Sequence, residues 1–232
     1  MYLKKIINLT YCVGILWSFD KLFAKKTKHR WYFLHTIANL IITITTIPGL
    51  LKSLEDPVNA MNSDIYPESN QLFSPTSILP ICMINSIHIY HTMMFNINKQ
   101  DTFHHFLFGI FIGFPGIYYN WGVLRNFLCF GICGLPGFID YTNLLLVKQG
   151  KMSKITQKKI CSFLNIWVRV PIICFESFMH YIAWVYSTTT VPPGINILVG
   201  VLSLFNCLYY LNSSIRSEER HKNIVMVCNK NT

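Results

Sequence analysis

Long apolar blocks without charge restrict this chain more than any other feature. Residues 31–51 hold no Asp, Glu, Lys or Arg, and neither do residues 73–95. Residues 102–119, 121–147, 160–186 and 195–211 form further apolar runs. The run over 121–147 is broken by Gly131, Gly134, Pro136 and Gly137; the run over 160–186 contains Arg169 and Glu176. A helix needs about 20 mostly apolar residues to cross a bilayer, so each block predicts a span. A shorter run over 6–19 has the length of an interfacial helix, a signal anchor or a tilted span. Lys4 and Lys5 precede it, but no small-x-small cleavage site follows before Asp20 and Lys21, so it is expected to be retained. The expected fold class is all-α: a polytopic membrane helix bundle with six or seven spans.

Composition agrees with that reading. Hydrophobic residues make up 52% and charged residues 13%, against roughly 25% charged in an ordinary soluble domain. The net charge of +10 suits a nucleic-acid binder, but such apolar blocks do not, so no nucleic-acid partner is expected. The same figures exclude a disordered chain. The eight cysteines lie singly along the chain and read as small apolar residues rather than a disulfide framework.

Basic residues favour the cytosolic side of a membrane. Lys21, Lys25, Lys26, Lys28 and Arg30 precede the first full block. The next loop, 52–72, holds Lys52 against Glu55, Asp56, Asp64 and Glu68. Lys99 follows, then a turn near 120 with no charge before Arg125. The loop 148–159 holds five lysines, the loop 187–194 no charge, and the tail Arg216, Arg220, Lys222 and Lys230. Fifteen of the 20 basic residues therefore fall on alternate loops. These loops are expected in the cytosol, with Arg125 snorkelling at the opposite side. The chain divides into an N-terminal apolar helix with a basic cytosolic segment (1–29), a transmembrane domain (30–211) and a basic cytosolic tail (212–232).

Ionisable groups are costly in hydrocarbon and mark functional sites. At about 1.5 Å per residue, His35 lies roughly 7 Å, Asp140 roughly 12 Å and Arg169 roughly 15 Å from the cytosolic ends of their spans. His88, His91, His104 and His105 lie one or two turns in. Five histidines and one carboxylate, from four spans, thus share the cytosolic half. Such a cluster suits acid–base or nucleophilic catalysis by histidine, lipid binding without chemistry, or helix-to-helix hydrogen bonding. His88 and His91 share a helical face and would suit a metal, but the chain has no complete His-x-x-His-His box, and no metal ligand is assigned. Asp140 and Arg169, matched in depth, are expected to pair. Glu176 and His180, four apart, are expected to satisfy each other.

Three stretches also carry a family likeness: Arg30-Trp31-Tyr32-Phe33-Leu34-His35, Lys99-Gln100-Asp101-Thr102-Phe103-His104-His105, and Gly134-Leu135-Pro136-Gly137-Phe138-Ile139-Asp140. With the span pattern, this resembles the TLC-domain family of multi-pass membrane proteins, relatives of the ceramide synthases, over about residues 30–211. The resemblance implies acyl transfer from acyl-CoA, as co-substrate, to a lipid amine in the endoplasmic reticulum. It makes His104 and His105 catalytic and Asp140 a supporting acid; by their depth, His35, His88, His91 and Arg169 are expected to bind substrate or support the site, and no cofactor is expected. The chain departs from the family in having Phe106, Leu107 and Phe108 where a threonine is usual. It has His88-Ile89-Tyr90-His91 where an aspartate is common. It reads as a divergent member, and a non-catalytic lipid-binding or membrane-composition regulator is the alternative.

Overall fold

The computed structural model describes residues 2–97 and 99–230. Among them the chain is helical, with one isolated bridge between Ser69 and Ser77. The helices form seven rods. Rod 1 is Tyr2–Leu22, rod 2 Arg30–Glu55 and rod 3 Leu79–Met94. Rod 4 joins Lys99–Phe108 to Phe114–Tyr118 through a π turn, Gly109–Gly113. Rod 5 is Leu124–Lys148 and rod 6 Lys154–Val185, with π turns over Phe130–Gly134 and Asn165–Arg169. Rod 7 is Pro193–Lys230, so the basic tail continues the last helix without a break.

The three π turns share one cause in the sequence. Pro115, Pro136 and Pro171 each stand two residues past the end of one. Proline offers no N–H, and its ring strikes the carbonyl four residues back. Widening the preceding turn relieves the clash and keeps the rod continuous.

Among the described residues, five helices are long and apolar enough to cross a membrane: Leu3–Lys26, Arg30–Glu55, Leu124–Lys148, Lys154–Val185 and Pro193–Ile224. The chain has the build of an integral membrane protein, with Trp17, Trp167, Phe178 and Val201 half or more exposed on its outside. Rods 3 and 4 stand outside that set. The block over 73–95 yields a helix only from Leu79, because Pro75 and Pro80 hold the chain in turns before it. Its 16 residues cover about 24 Å, short of a hydrocarbon core of about 30 Å. Rod 4 opens with Lys99, Gln100 and Asp101 and carries both adjacent histidines, which lowers its apolarity.

Rod 1 outgrows its apolar run because its flanking charges find partners. Lys5 lies 3.2 Å from Glu68 and donates to the carbonyls of Ile117 and Tyr118. At the other end Asp20, fully buried, accepts a bidentate bond from Arg30 and a 2.6 Å bond from the Tyr90 hydroxyl. The Lys5 contacts, with Thr188 donating to the carbonyl of Val58, gather the start of rod 1, the loop after rod 2 and the ends of rods 4 and 6 at one pole. That pole carries the acidic loop; the opposite pole carries the basic ones. Arg125 does not snorkel. It is 3% exposed and donates to Glu68 at 2.9 Å and to Asn120, because the acidic loop folds back over it.

Two apolar cores result. One joins rods 1, 2 and 3 around Leu16, Leu34, Ile42 and Ile84. The other joins rods 5, 6 and 7 with Ala60 and Met61 of the acidic loop.

Candidate functional site

A cavity of about 170 Å³ lies between the rods, lined from rods 2 to 7. Rod 1 contributes nothing to it and packs against rod 3 from outside. Close helix approach makes the walls. Gly113 abuts Asn85, whose amide donates to the carbonyls of Ile81 and Gly113. A methyl group on Gly137 would come within 2.7 Å of Asn39 Nδ2.

Of the residues singled out from sequence, His35, His88, His104, Asp140 and Arg169 line this cavity. His91 and His105 stand behind them. His91 stacks on Trp31, with ring centroids 3.4 Å apart, and lies 4.9 Å from His105. His105 lies 4.8 Å from His88, and its Nδ1 is 3.3 Å from the Thr92 hydroxyl. The five histidines thus form one contiguous set. Adjacent residues on a helix point about 100° apart, so His104 lines the cavity while His105 packs among the others. Tyr210 on rod 7 holds His104 Nδ1 at 3.3 Å. His35 stacks on Tyr141 at 4.1 Å.

The expected pair of Asp140 and Arg169 is not formed. Asp140 accepts a 2.8 Å bond from Gln157 Nε2. Arg169 donates to Asn165 Oδ1 at 2.8 Å and lies 5.8 Å from the Tyr210 ring. Matched depth was not enough: Asn165, one turn back on the same rod, takes the guanidinium, and Gln157 reaches Asp140 from the start of rod 6.

The expected pair of Glu176 and His180 is formed, with Nε2 to Oε1 at 2.6 Å. Asn196 completes it. Its Nδ2 donates to the His180 carbonyl at 3.0 Å, so its Oδ1, 2.5 Å from His180 Nδ1, is the acceptor. Nδ1 therefore carries a proton, and one further proton is shared between Nε2 and the carboxylate.

Four atoms on cavity-lining residues stand differently. His35 Nε2, His88 Nδ1, Arg169 Nε and Asn206 Oδ1 are buried without a hydrogen-bond partner among the described residues. Asn39, Asn85 and Asn206 carry the same sequence signal as the histidines, being polar residues inside apolar blocks. Gln157 had no such signal, since it reads as part of a basic loop. Among the described residues, no group of three His, Cys, Asp or Glu side chains is placed to hold a metal ion.

Fold and cavity together define a class: a helical bundle of membrane-crossing build around a cavity lined by histidines and apolar side chains. No family model, no curated protein and no solved structure matches the chain, so its own residues carry the functional argument.

Proposed function

We propose that the chain is a multi-pass membrane protein of lipid metabolism whose cavity transfers an acyl group from acyl-CoA to a lipid amine. In this reading six or seven of the rods cross the endoplasmic reticulum membrane, the shorter rods 3 and 4 inside the bundle, and the basic pole faces the cytosol. One observation carries it: the four partnerless polar atoms on residues that line one cavity beside His104 and Asp140. Buried polar groups are ordinarily hydrogen-bonded. A ligand with polar groups of its own supplies what the protein does not. The TLC-domain resemblance names the chemistry.

The amine nitrogen attacks the thioester carbonyl carbon. The C–N bond forms, the C–S bond breaks, and the amine proton passes to His104 and then to the departing thiolate. Tyr210 sets the ring of His104. His105, His91 and His88 hold its neighbourhood, His35 and Arg169 contact the substrate, and Asp140 attracts the amine. The basic loop 148–159 draws the phosphates of acyl-CoA to the cavity mouth.

Asp140 bonds Gln157 and not a histidine, which favours a second reading, a lipid-binding protein without chemistry. Purified protein in nanodiscs, given labelled acyl-CoA with a sphingoid base and then with other amines and lysolipids, separates the two. The expected outcome is an N-acyl product whose formation falls about 10²- to 10⁴-fold in a well-folded His104→Ala variant. The His105→Ala variant should lose less. No transfer to any acceptor, with lipid binding intact in both variants, leaves the binding reading.

A further inference from the structure

Arg169 sits midway along rod 6, at the end of the π turn Asn165–Arg169. In a bundle of membrane-crossing build this is the most expensive depth for a cation. Such a charge ordinarily meets a carboxylate, and the cavity holds one, yet no ion pair joins Arg169 to Asp140 among the described residues. Gln157 occupies Asp140 instead. The partners of the guanidinium among the described residues are neutral: the amide oxygen of Asn165 and the face of Tyr210. Its Nε is buried and finds no hydrogen-bond partner among the described residues. An arginine presents five donors in a planar fork that matches phosphate and carboxylate. A fork with an unused edge inside a low-dielectric cavity is built for an oxyanion.

We propose that Arg169 anchors an oxyanion subsite in the cavity, and that its ligand is a single-chain lipid bearing a phosphate or carboxylate group. The apolar walls, among them Ile84, Ile112 and Leu128, take the chain. The proposal deepens the acyl-transfer reading by giving the substrate class, and rests on it only in taking this cavity as the ligand site.

Equilibrium binding of labelled dodecyl phosphate, laurate and dodecanol to the full chain in phosphatidylcholine nanodiscs tests it. Wild type should prefer the two anions over the alcohol by about tenfold or more. Arg169→Gln should bring that ratio close to one, and Arg169→Lys should keep part of it. Lys21→Gln, an exposed cation at the basic pole, should leave it unchanged. Asp140→Asn keeps the acceptor for Gln157 and removes a like charge, so it should tighten dodecyl phosphate binding severalfold. Displacement by inorganic phosphate at comparable concentration keeps the subsite and assigns it to free phosphate; displacement only at far higher concentration assigns it to the lipid. Equal binding of anion and alcohol by wild type overturns the proposal, as does an unchanged ratio in Arg169→Gln. If Arg169→Gln does not fold, unchanged or weaker binding in Asp140→Asn overturns it. Anion selectivity without acyl transfer would sink the enzymatic reading alone; transfer without selectivity would sink only the subsite.

Discussion

The acidic pole and the cavity hold their buried charges in opposite ways. At the acidic pole Lys5 and Arg125 share the carboxylate of Glu68, and deeper in rod 6 Glu176 and His180 share a proton under the hold of Asn196. The Asp20–Arg30–Tyr90 knot at the basic pole is equally complete. In the cavity Arg169 and Asp140 stand apart, and the partnerless nitrogens of His35 and His88 accompany them. The residue types are the same in both places. Paired charges join rods and leave little capacity for a ligand, although Arg125 Nε at the acidic pole is itself without a hydrogen-bond partner among the described residues. Incomplete networks are a standing cost that a ligand relieves. Charge pairing, more than residue type, separates the acidic pole from the cavity in this bundle.

The largest test of that contrast is in rod 6. Glu176→Leu or His180→Leu alone should cost about 3–5 kcal/mol, because each strands a buried polar partner. The double variant should be milder than either single one. Thermal unfolding in detergent, followed by size-exclusion recovery, reads all three. If the double variant is the worst, the pair is not a closed unit.

A smaller effect is expected where one bond leaves a knot that otherwise survives. Tyr90→Phe removes the hydroxyl from Asp20 but keeps the Arg30 fork, for a loss of about 1.5–3 kcal/mol. The same unfolding measurement applies, and a shift as large as that of Glu176→Leu would mean the fork depends on the tyrosine.

The smallest effect on stability, and the most telling, is expected in the cavity. Asn206→Leu takes away an amide whose oxygen has no hydrogen-bond partner among the described residues. Replacing an unsatisfied polar group by an apolar one of similar shape is near neutral or stabilising, within about 1 kcal/mol. Binding of dodecyl phosphate should weaken in the same variant. A large destabilisation would show that Asn206 is structural and would erase its difference from Asn196.

Much of this was legible from residue order. The apolar blocks were visible, as were the alternation of basic loops and the shared depth of His35, His88, His104 and Asp140, because hydropathy and helical rise are local properties that act along the chain. Both His104 and His105 were read as catalytic; the fold puts His104 on the cavity wall and His105 behind it. Block length was less faithful. The 73–95 stretch is apolar enough, but Pro75 and Pro80 delay its helix to Leu79, and the short 6–19 run becomes a full rod because Lys5 and Asp20 find buried partners.

Partnership was decided only in three dimensions. Sequence placed Asp140 and Arg169 at one depth and suggested a pair; the fold gave one to Gln157 and the other to Asn165. Sequence left Arg125 at the membrane edge; the fold of the acidic loop buried it on Glu68. Depth along a helix follows from counting residues, but the rotation of each rod about its axis, and hence which side chains meet, follows from how all seven pack. A hydrogen bond is decided within a few tenths of an ångström, so residue types alike in sequence became closed pairs in one place and an open cavity in another.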